Sequence, residues 1–394
     1  MVVKVRLRPR LVVAEAGIFA AMNDVLLFVV VGAALAFDFT NGFHDTANAM
    51  ATTIATKALP PKQALGLAAT LNFVGAFLSI SVAATIAGGI VDQQQIALPI
   101  IFAGLLGAIG FNLATWYLGL PSSSSHALIG GMVGAMLAAV GSGGVEWSGI
   151  LEKVLIPGVF AVLIAGGVAV IGTKVAYLFL RRIGEGMATR GYRLGQIGSA
   201  SLVSLGHGTN DAQKTMGIIV LALVANGNLS ADDFTVPLWV KVSCATAIAA
   251  GTFMGGWRII DTLGKKVTGD ITPPQGFSAE ASGATLILGS SYFGYPLSTT
   301  QVVSGAVVGS GIGRGESEVN WGIAGRMGIA WVLTIPGAGA VAAAAYGIVS
   351  VLGDTAGPVV VGALALAGSV ALFFKTRRED SSNTQMNDLK AVPA

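Results

Sequence analysis

Apolar segments of about membrane-spanning length recur along nearly the whole of this 394-residue chain. A helix needs roughly 20 mostly apolar residues to cross a bilayer. Segments that reach or approach this length occupy residues 64–90, 98–120, 155–180, 236–257, 322–352 and 358–374. Only 11% of the residues are charged, whereas a soluble domain carries about 25%. We therefore predict an all-α integral membrane protein with about 10–12 membrane helices, multi-pass in the inner or plasma membrane of the cell.

Several functional classes are excluded by motifs that the sequence lacks. There is no G-x-x-x-x-G-K-[ST] loop, so the chain does not bind ATP by that route. Ser, His and Asp are present, but no nucleophile-elbow sequence indicates a hydrolase. The net charge of +3 belongs to loops and does not imply a nucleic acid partner. We expect a protein that is not an enzyme and that has no resident cofactor.

Four polar patches interrupt the apolar sequence. They occupy residues 40–48, 121–126, 206–214 and 296–301. The three histidines of the chain, His44, His126 and His207, all lie in these patches. Ionisable groups at membrane depth are costly, and they mark substrate or ion pathways. The patches therefore predict a binding site inside the membrane.

The patches occur in two matching pairs. Asp45 matches Asp211 at an offset of 166 residues, and Pro121 matches Pro296 at an offset of 175. The pairing predicts two repeats, whether parallel or inverted, with these boundaries: a basic or interfacial segment at 1–24, repeat 1 at 25–180, a polar basic linker at 181–194, repeat 2 at 195–374 and a polar, disordered tail at 375–394. A signal peptide is the alternative interpretation of the first segment.

Glycine and proline within the patches predict interrupted helices. Gly42 and Gly208 lie just before the Asp-containing turns, and Pro121 and Pro296 precede Ser- and Thr-rich runs. In lipid, an interrupted backbone is tolerated only where protein or a water-filled cavity satisfies its polar groups. Discontinuous helices of this kind form the central sites of secondary transporters. We expect broken or re-entrant helices at the site.

The side chains of the patches suit an oxyanion together with a cation. Hydroxyls and helix N-termini donate hydrogen bonds to a tetrahedral oxyanion; the hydroxyls are those of Ser123, Ser124, Ser125, Ser298, Thr299 and Thr300. Asp45 and Asp211 can accept a hydrogen bond from the P–OH of phosphate, whereas sulfate has no such proton. Carboxylate, Asn and Thr oxygens also bind hard cations. A cation beside the anion lowers the electrostatic cost of both, which is a physical basis for symport.

The remaining polar residues are expected to support this site. His126 matches Gln301, and we treat these two with His44 and His207 as tuning residues around the ligands. Lys214 fits two roles, pairing with an aspartate or extending towards the membrane interface. Asp38 fits a cavity residue or a helix cap.

The patches resemble the signatures of a known family. Residues 41–49, Asn-Gly-Phe-His-Asp-Thr-Ala-Asn-Ala, and residues 206–217, Gly-His-Gly-Thr-Asn-Asp-Ala-Gln-Lys-Thr-Met-Gly, look like the paired signatures of the inorganic phosphate transporter (PiT) family. Residues 121–126 and 296–301 resemble its second pair. The resemblance extends from about residue 25 to 374, in the family's order. One departure is Asn72, at a position where many relatives have glutamate.

The resemblance implies symport of inorganic phosphate with sodium or protons by two inverted repeats, and a homodimer. It implies these phosphate ligands: Asp45, Thr46, Ser123, Ser124, Ser125, Asn210, Asp211, Ser298, Thr299 and Thr300. The sodium ligands that it implies are Asn41, Asp45, Asn48, Thr209 and Asp211. Sodium is favoured as the coupling ion. The alternatives are a proton-coupled or metal-phosphate symporter, a permease for sulfate or another oxyanion and, more remotely, an anion channel.

Overall fold

The computed structural model describes residues 9–183, 185–232, 234–315 and 319–390, and these residues form thirteen α-helices joined by turns and loops. The helices are α1 Pro9–Ala55, α2 Pro61–Gly75, α3 Ser81–Gly89, α4 Leu98–Tyr117, α5 Ser124–Val140, α6 Trp147–Ile150, α7 Ile156–Ile183, α8 Glu185–Ala225, α9 Leu238–Met254, α10 Trp257–Asp261, α11 Pro273–Tyr292, α12 Thr299–Gly313 and α13 Trp321–Lys390. Helix α13 is kinked at Gly353, where φ is 81°.

Five helical segments of the described chain are long and apolar enough to cross a membrane: Asp24–Ala55, Leu98–Tyr117, Trp147–Arg182, Trp321–Gly353 and Ala356–Thr376. A sixth is formed if α9 and the bent segment Trp257–Lys266 count as one span. Large apolar side chains of α7 are exposed, for example Leu163 at 64% and Ile171 at 65%. Such a surface suits contact with lipid. The prediction of an all-α membrane protein is confirmed.

Helices α1 and α8 run without interruption through the two Asp-containing patches. The prediction that Gly42 and Gly208 break these helices is wrong. A Cβ atom at position 42 would collide with the carbonyl oxygen of Ile248 in α9, and one at 208 would collide with that of Asn72 in α2. These glycines therefore allow close packing between helices, a common use of small residues in membranes.

The interruptions instead fall at the Pro-containing patches. Between α4 and α5 the chain turns at Gly119, where φ is +64°, and between α11 and α12 it turns at Gly294, where φ is +76°. Pro121 and Pro296 follow, and both are buried. Helices α5 and α12, of 17 and 15 residues, thus begin inside the protein. The prediction of broken helices holds at these two positions.

The packing of the helices recurs in two sets. Helix α1 packs on α9, and α8 packs on α2. Helices α4 and α5 pack on α13, whereas α11 and α12 pack on α7. Each short helix that begins inside the protein is thus covered by a long helix from the other part of the chain. This exchange is compatible with two repeats, whose boundaries and relative orientation stay a prediction.

The segments outside the predicted repeats are largely helical. Residues 9–24 belong to the same helix as the residues that follow, and residues 1–8 lie outside the described part of the chain. The predicted linker 181–194 contains the end of α7 and the start of α8, with residue 184 not described. Helix α13 extends into the predicted tail and ends at Lys390, and the boundary of the tail stays a prediction.

Candidate functional site

The two aspartates of the paired patches meet where α1 and α8 pack together. Asp45 and Asp211 are buried, with exposed fractions of 2% and 0%. The hydroxyl of Thr299, in the first turn of α12, lies 3.4 Å from Oδ2 of Asp45 and 3.1 Å from Oδ2 of Asp211. One hydroxyl therefore reaches both carboxylates, and these three residues form the centre of the site.

Asp45 is bonded by hydroxyl groups and lies beside a histidine. Ser124 and Thr300 donate to its Oδ1, each at 3.2 Å, and Nδ1 of His44 lies 2.7 Å from the same oxygen. Asn48, one turn along α1, donates to the hydroxyl of Thr300 at 2.9 Å. The carboxylate is thus held by first-turn hydroxyls of α5 and α12, with no lysine or arginine bonded to it among the described residues.

Asp211 is paired with a lysine. Nζ of Lys214 forms a salt bridge with Oδ1 of Asp211, and it also donates to Oγ of Ser125 at 2.5 Å and to the carbonyl oxygen of Leu297 at 2.7 Å. Lys214 is 1% exposed. Of the two roles that the sequence left open, the structure places this lysine beside an aspartate. An ammonium group has three donors, and all three are engaged here.

Helices α5 and α12 direct their N-termini at this site. Ser123 caps α5 by accepting a hydrogen bond from the His126 N–H at 3.0 Å, and Ser298 caps α12 by accepting one from the Gln301 N–H at 3.2 Å. The remaining N–H groups of a helix N-terminus and its positive dipole attract an anion. Two such termini lie beside the carboxylates.

The three histidines connect the site to its surroundings. His126 Nδ1 lies 3.1 Å from Nε2 of Gln301, which joins α5 to α12. Nε2 of His44 is 3.4 Å from the hydroxyls of both Thr115 and Ser122. His207 lies between the two aspartates: its Nε2 is 3.1 Å from Asp211 and 3.9 Å from Asp45.

The Asn72 side chain, the departure noted in the sequence, lies against this histidine. Its Oδ1 is 3.1 Å from Nδ1 of His207, and its amide donates to the hydroxyl of Thr252 at 2.7 Å. The residue is fully buried. Asn72 therefore orients the imidazole that faces the two carboxylates.

Some predicted ligands direct their side chains elsewhere. The hydroxyl of Thr46 donates to the carbonyl oxygens of Gly42 and Thr252, and that of Thr209 donates to those of Leu205 and Gly75. The Asn210 amide donates to Ser291 at 2.9 Å and to the carbonyl of Tyr295. Oδ1 of Asn41 has no hydrogen-bond partner. Their roles as ligands stay predictions.

A cation would find ligands between the two aspartates. One ligand atom each from Asp45, His207 and Asp211 lies within 4.8 Å of the others. Carboxylate oxygens are the preferred ligands of hard cations. The same small volume thus offers carboxylate oxygens to a cation and helix N-termini to an anion.

Sequence analysis missed a third buried carboxylate, Glu280 in α11. Its Oε1 accepts hydrogen bonds from Thr52, from Thr53 at 2.7 Å and from Gln196 at 3.3 Å, and its Oε2 accepts one from Ser199 at 2.9 Å. The signal was available, because Glu280 is the only charged residue of α11.

The opposite end of the packed helices is apolar. At the offsets of the two repeats, Glu280 corresponds to Leu105, Thr52 to Ile218 and Gln196 to Val30. These three apolar side chains are buried in one core cluster. The central site thus lies between a polar layer around Glu280 and an apolar layer around Leu105.

The chain is similar to known transporters over most of its length. It matches the model of the phosphate transporter family over residues 41–189 and 182–342. It is 56% identical over 362 residues to a probable low-affinity inorganic phosphate transporter of Mycobacterium bovis, a match that covers 92% of this chain and 87% of the relative. A relative of the same description from Bacillus subtilis is 44% identical over 331 residues, with coverage of 83% and 98%.

One solved structure has the same fold. It is described as the sodium-dependent phosphate transporter, and it superimposes with a TM-score of 0.74, covering 83% of this chain and 99% of its own. The sequence identity is 24%, so this likeness concerns the fold.

Proposed function

The chain belongs to the phosphate transporter family, whose members are transporters and not enzymes, and on this premise we propose that it carries inorganic phosphate across the cell membrane by symport with sodium. The observation that carries the proposal is the junction of two helix N-termini with two buried carboxylates. The helix N-termini suit an anion and the carboxylates suit a cation. A symporter that moves both ions together needs both kinds of ligand in one site.

Phosphate is bound at the N-termini of α5 and α12. The backbone N–H groups there and the first-turn hydroxyls of Ser124, Ser125, Thr299 and Thr300 supply donors for its oxygens. Lys214 contributes a positive charge, since its ammonium already contacts Ser125 and the carbonyl of Leu297 between the two helices. A protonated phosphate oxygen donates to a carboxylate, a contact that sulfate cannot make.

Sodium is bound between Asp45 and Asp211. Their carboxylates share the Thr299 hydroxyl, and they lie close enough to bind one ion together. Asp45 is the more available of the two, because Lys214 already neutralises Asp211. A phosphate placed beside an uncompensated Asp45 would be repelled, so sodium binds first and raises the affinity for the anion. By linkage, phosphate raises the affinity for sodium by the same factor.

Transport proceeds by alternating access around this site. The site is occluded in the structure, since none of Asp45, Asp211, Lys214 or His207 is exposed by more than 2%. Release to either side requires helices to move apart, and the layers around Glu280 and Leu105 are the two barriers along α1 and α8. An open channel would instead keep a continuous pore lined by rings of polar groups.

Purified protein in lipid vesicles tests this proposal directly. We expect labelled phosphate to accumulate inside against its gradient when an inward sodium gradient is imposed, and to stop accumulating when sodium is replaced by choline. Uptake that only equilibrates phosphate would indicate a channel. Accumulation that ignores sodium would contradict sodium coupling.

Protons are a second candidate for the coupling ion. His44 lies 2.7 Å from Asp45 and His207 lies 3.1 Å from Asp211, and chains of histidine and carboxylate carry protons in other transporters. An inward proton gradient, imposed in the same vesicles without sodium, separates the two candidates. Sodium coupling predicts no accumulation under that condition, and proton coupling predicts full accumulation.

A further inference from the structure

Asp38 is a buried carboxylate that the central site does not use. It lies in the part of α1 that is long and apolar enough to span the membrane, and its exposed fraction is 0%. Neither of its carboxyl oxygens has a hydrogen-bond partner among the residues that the structure describes. A buried carboxyl group without a hydrogen bond costs free energy, so such a residue requires an explanation in terms of function.

Two further oxygens around Asp38 are also without partners. The hydroxyl of Thr215 in α8 is among the groups that interact with Asp38, yet it forms no hydrogen bond that meets ordinary geometry. Oδ1 of Asn41, one turn along α1 on the same face, has no partner either. Thr215 and Asn41 are 0% and 1% exposed. Two carboxyl oxygens, an amide oxygen and a hydroxyl oxygen in one buried region thus have no hydrogen-bond partner among the described residues.

The nearby lysine does not satisfy Asp38. Lys214 interacts with it electrostatically, but the three ammonium donors are bonded to Asp211, Ser125 and the carbonyl of Leu297. The carboxyl group of Asp38 is therefore left without a bond from this lysine.

We propose that Asp38, Asn41 and Thr215 form a second binding site for a monovalent cation, separate from the one between Asp45 and Asp211. All of the unpartnered ligand atoms are oxygens, which hard cations prefer. Asp38 precedes Asp45 by seven residues of α1, a rise of about 10 Å, so the two sites are distinct but electrostatically coupled. The inference rests on the proposed function, because it assigns a further cation to the same transport cycle.

The ligands of this second site have no counterparts at the matching positions of the predicted repeats. At the offset of 166 residues, Asp38 corresponds to Ser204, whose hydroxyl donates to the carbonyl of Ala200, and Thr215 corresponds to Ala49. The matching positions therefore do not form a second copy of this site. The cation site would make the two sides of the transporter unequal.

The variant Thr215→Val tests the proposal with the least disturbance, because it removes one hydroxyl and keeps the shape of the side chain. Sodium ions are the probe. Losing one ligand should raise the sodium concentration for half-maximal phosphate uptake about three- to ten-fold, with the phosphate KM at saturating sodium unchanged. The matched control is Thr173→Val in α7, another fully buried threonine with an unpartnered hydroxyl.

Thermal unfolding in sodium chloride, compared with choline chloride and without phosphate, gives a readout that does not depend on transport. Sodium that binds the folded protein raises its Tm, and we expect Thr215→Val and Asp38→Asn to reduce that rise while Thr173→Val retains it. Equal behaviour of both threonine variants, or an Asp38→Asn protein with the sodium response of the wild type, would overturn the site. Wild-type uptake without any need for sodium would defeat the proposed function instead, and the Tm comparison would still decide on this site.

Discussion

Asp45 and Asp211 occupy matching positions of the two patches, yet their surroundings differ in charge. Asp211 is in a salt bridge with Lys214, whereas Asp45 is held by Ser124, Thr300 and His44. Both carboxylates are buried and both reach the hydroxyl of Thr299. One carboxylate is therefore neutralised by the protein itself, and the other is left for an ion from solution.

The difference in charge is suited to one site that holds two ligands of opposite charge. In the proposed function, Lys214 on the Asp211 side keeps the site from becoming too negative for phosphate. The carboxylate on the Asp45 side, which has no lysine bonded to it among the described residues, would make phosphate binding depend on a sodium ion. Matching sequence motifs thus perform unequal tasks, and the neighbour three residues after Asp211 makes the distinction.

The largest effect is expected from removing the open carboxylate. Asp45→Asn keeps the shape of the side chain but removes the charge that attracts sodium, so sodium-driven accumulation of phosphate should be abolished in lipid vesicles. The control is Asp232→Asn, which changes an exposed loop residue in the same way. If the Asp45→Asn protein accumulated phosphate at the wild-type rate, Asp45 would not be the carboxylate that binds the coupling ion.

Lys214→Met tests the neutralised side. The substitution leaves Asp211 as an unpaired buried charge, which should lower the free energy of unfolding by about 3–5 kcal/mol. The double variant Lys214→Met/Asp211→Asn removes both charges and should recover most of that loss. Thermal unfolding of the three proteins in detergent measures both effects, and a double variant as unstable as Lys214→Met would show that the pair is not the cause.

Glu280 extends this contrast, because its buried carboxyl group is held by four uncharged donors and has no salt bridge within the described part of the chain. Glu280→Gln replaces one accepting oxygen by a donor that faces other donors, so it should cost about 1–3 kcal/mol of stability. The exposed Glu146→Gln provides the control. If the Tm of Glu280→Gln matched that of the wild type, the polar layer would not hold α1, α8 and α11 together.

The smallest effect concerns a single hydroxyl beside Asp45. Thr300→Ala removes a donor to Asp45 and to bound phosphate, and it should weaken phosphate affinity by about 1 kcal/mol, a factor of about five. Thr334→Ala controls for the lost methyl group, since Thr334 is equally buried and bonds only its own helix. The ratio of their phosphate KM values gives the contribution of the Thr300 hydroxyl.

Much of this arrangement could be predicted from the sequence, because lipid narrows the choices. Long apolar segments can only be helices, and the paired patches, with their aspartates and hydroxyls, identified the residues that the fold brings together at α1, α8, α5 and α12. The positions of Pro121 and Pro296 located the two real interruptions. Local chemistry was sufficient for these features.

Other features depend on contacts between distant segments. Gly42 looked like a helix breaker, but its small size serves the contact with Ile248 of α9. The partner of Lys214 was ambiguous because the sequence does not show that Ser125 and Leu297 converge on its ammonium group. Glu280 was missed because its donors come from α1 and α8, more than 80 residues away.

The most direct test of the account is sodium binding to the purified protein, measured with radioactive sodium in the presence and absence of phosphate. If Asp45 takes the ion that phosphate requires, phosphate should raise the sodium affinity of the wild type, and Asp45→Asn should lose that increase. A sodium affinity that does not respond to phosphate, or a response that survives in Asp45→Asn, would contradict the claim that Asp45 binds the sodium ion that phosphate requires.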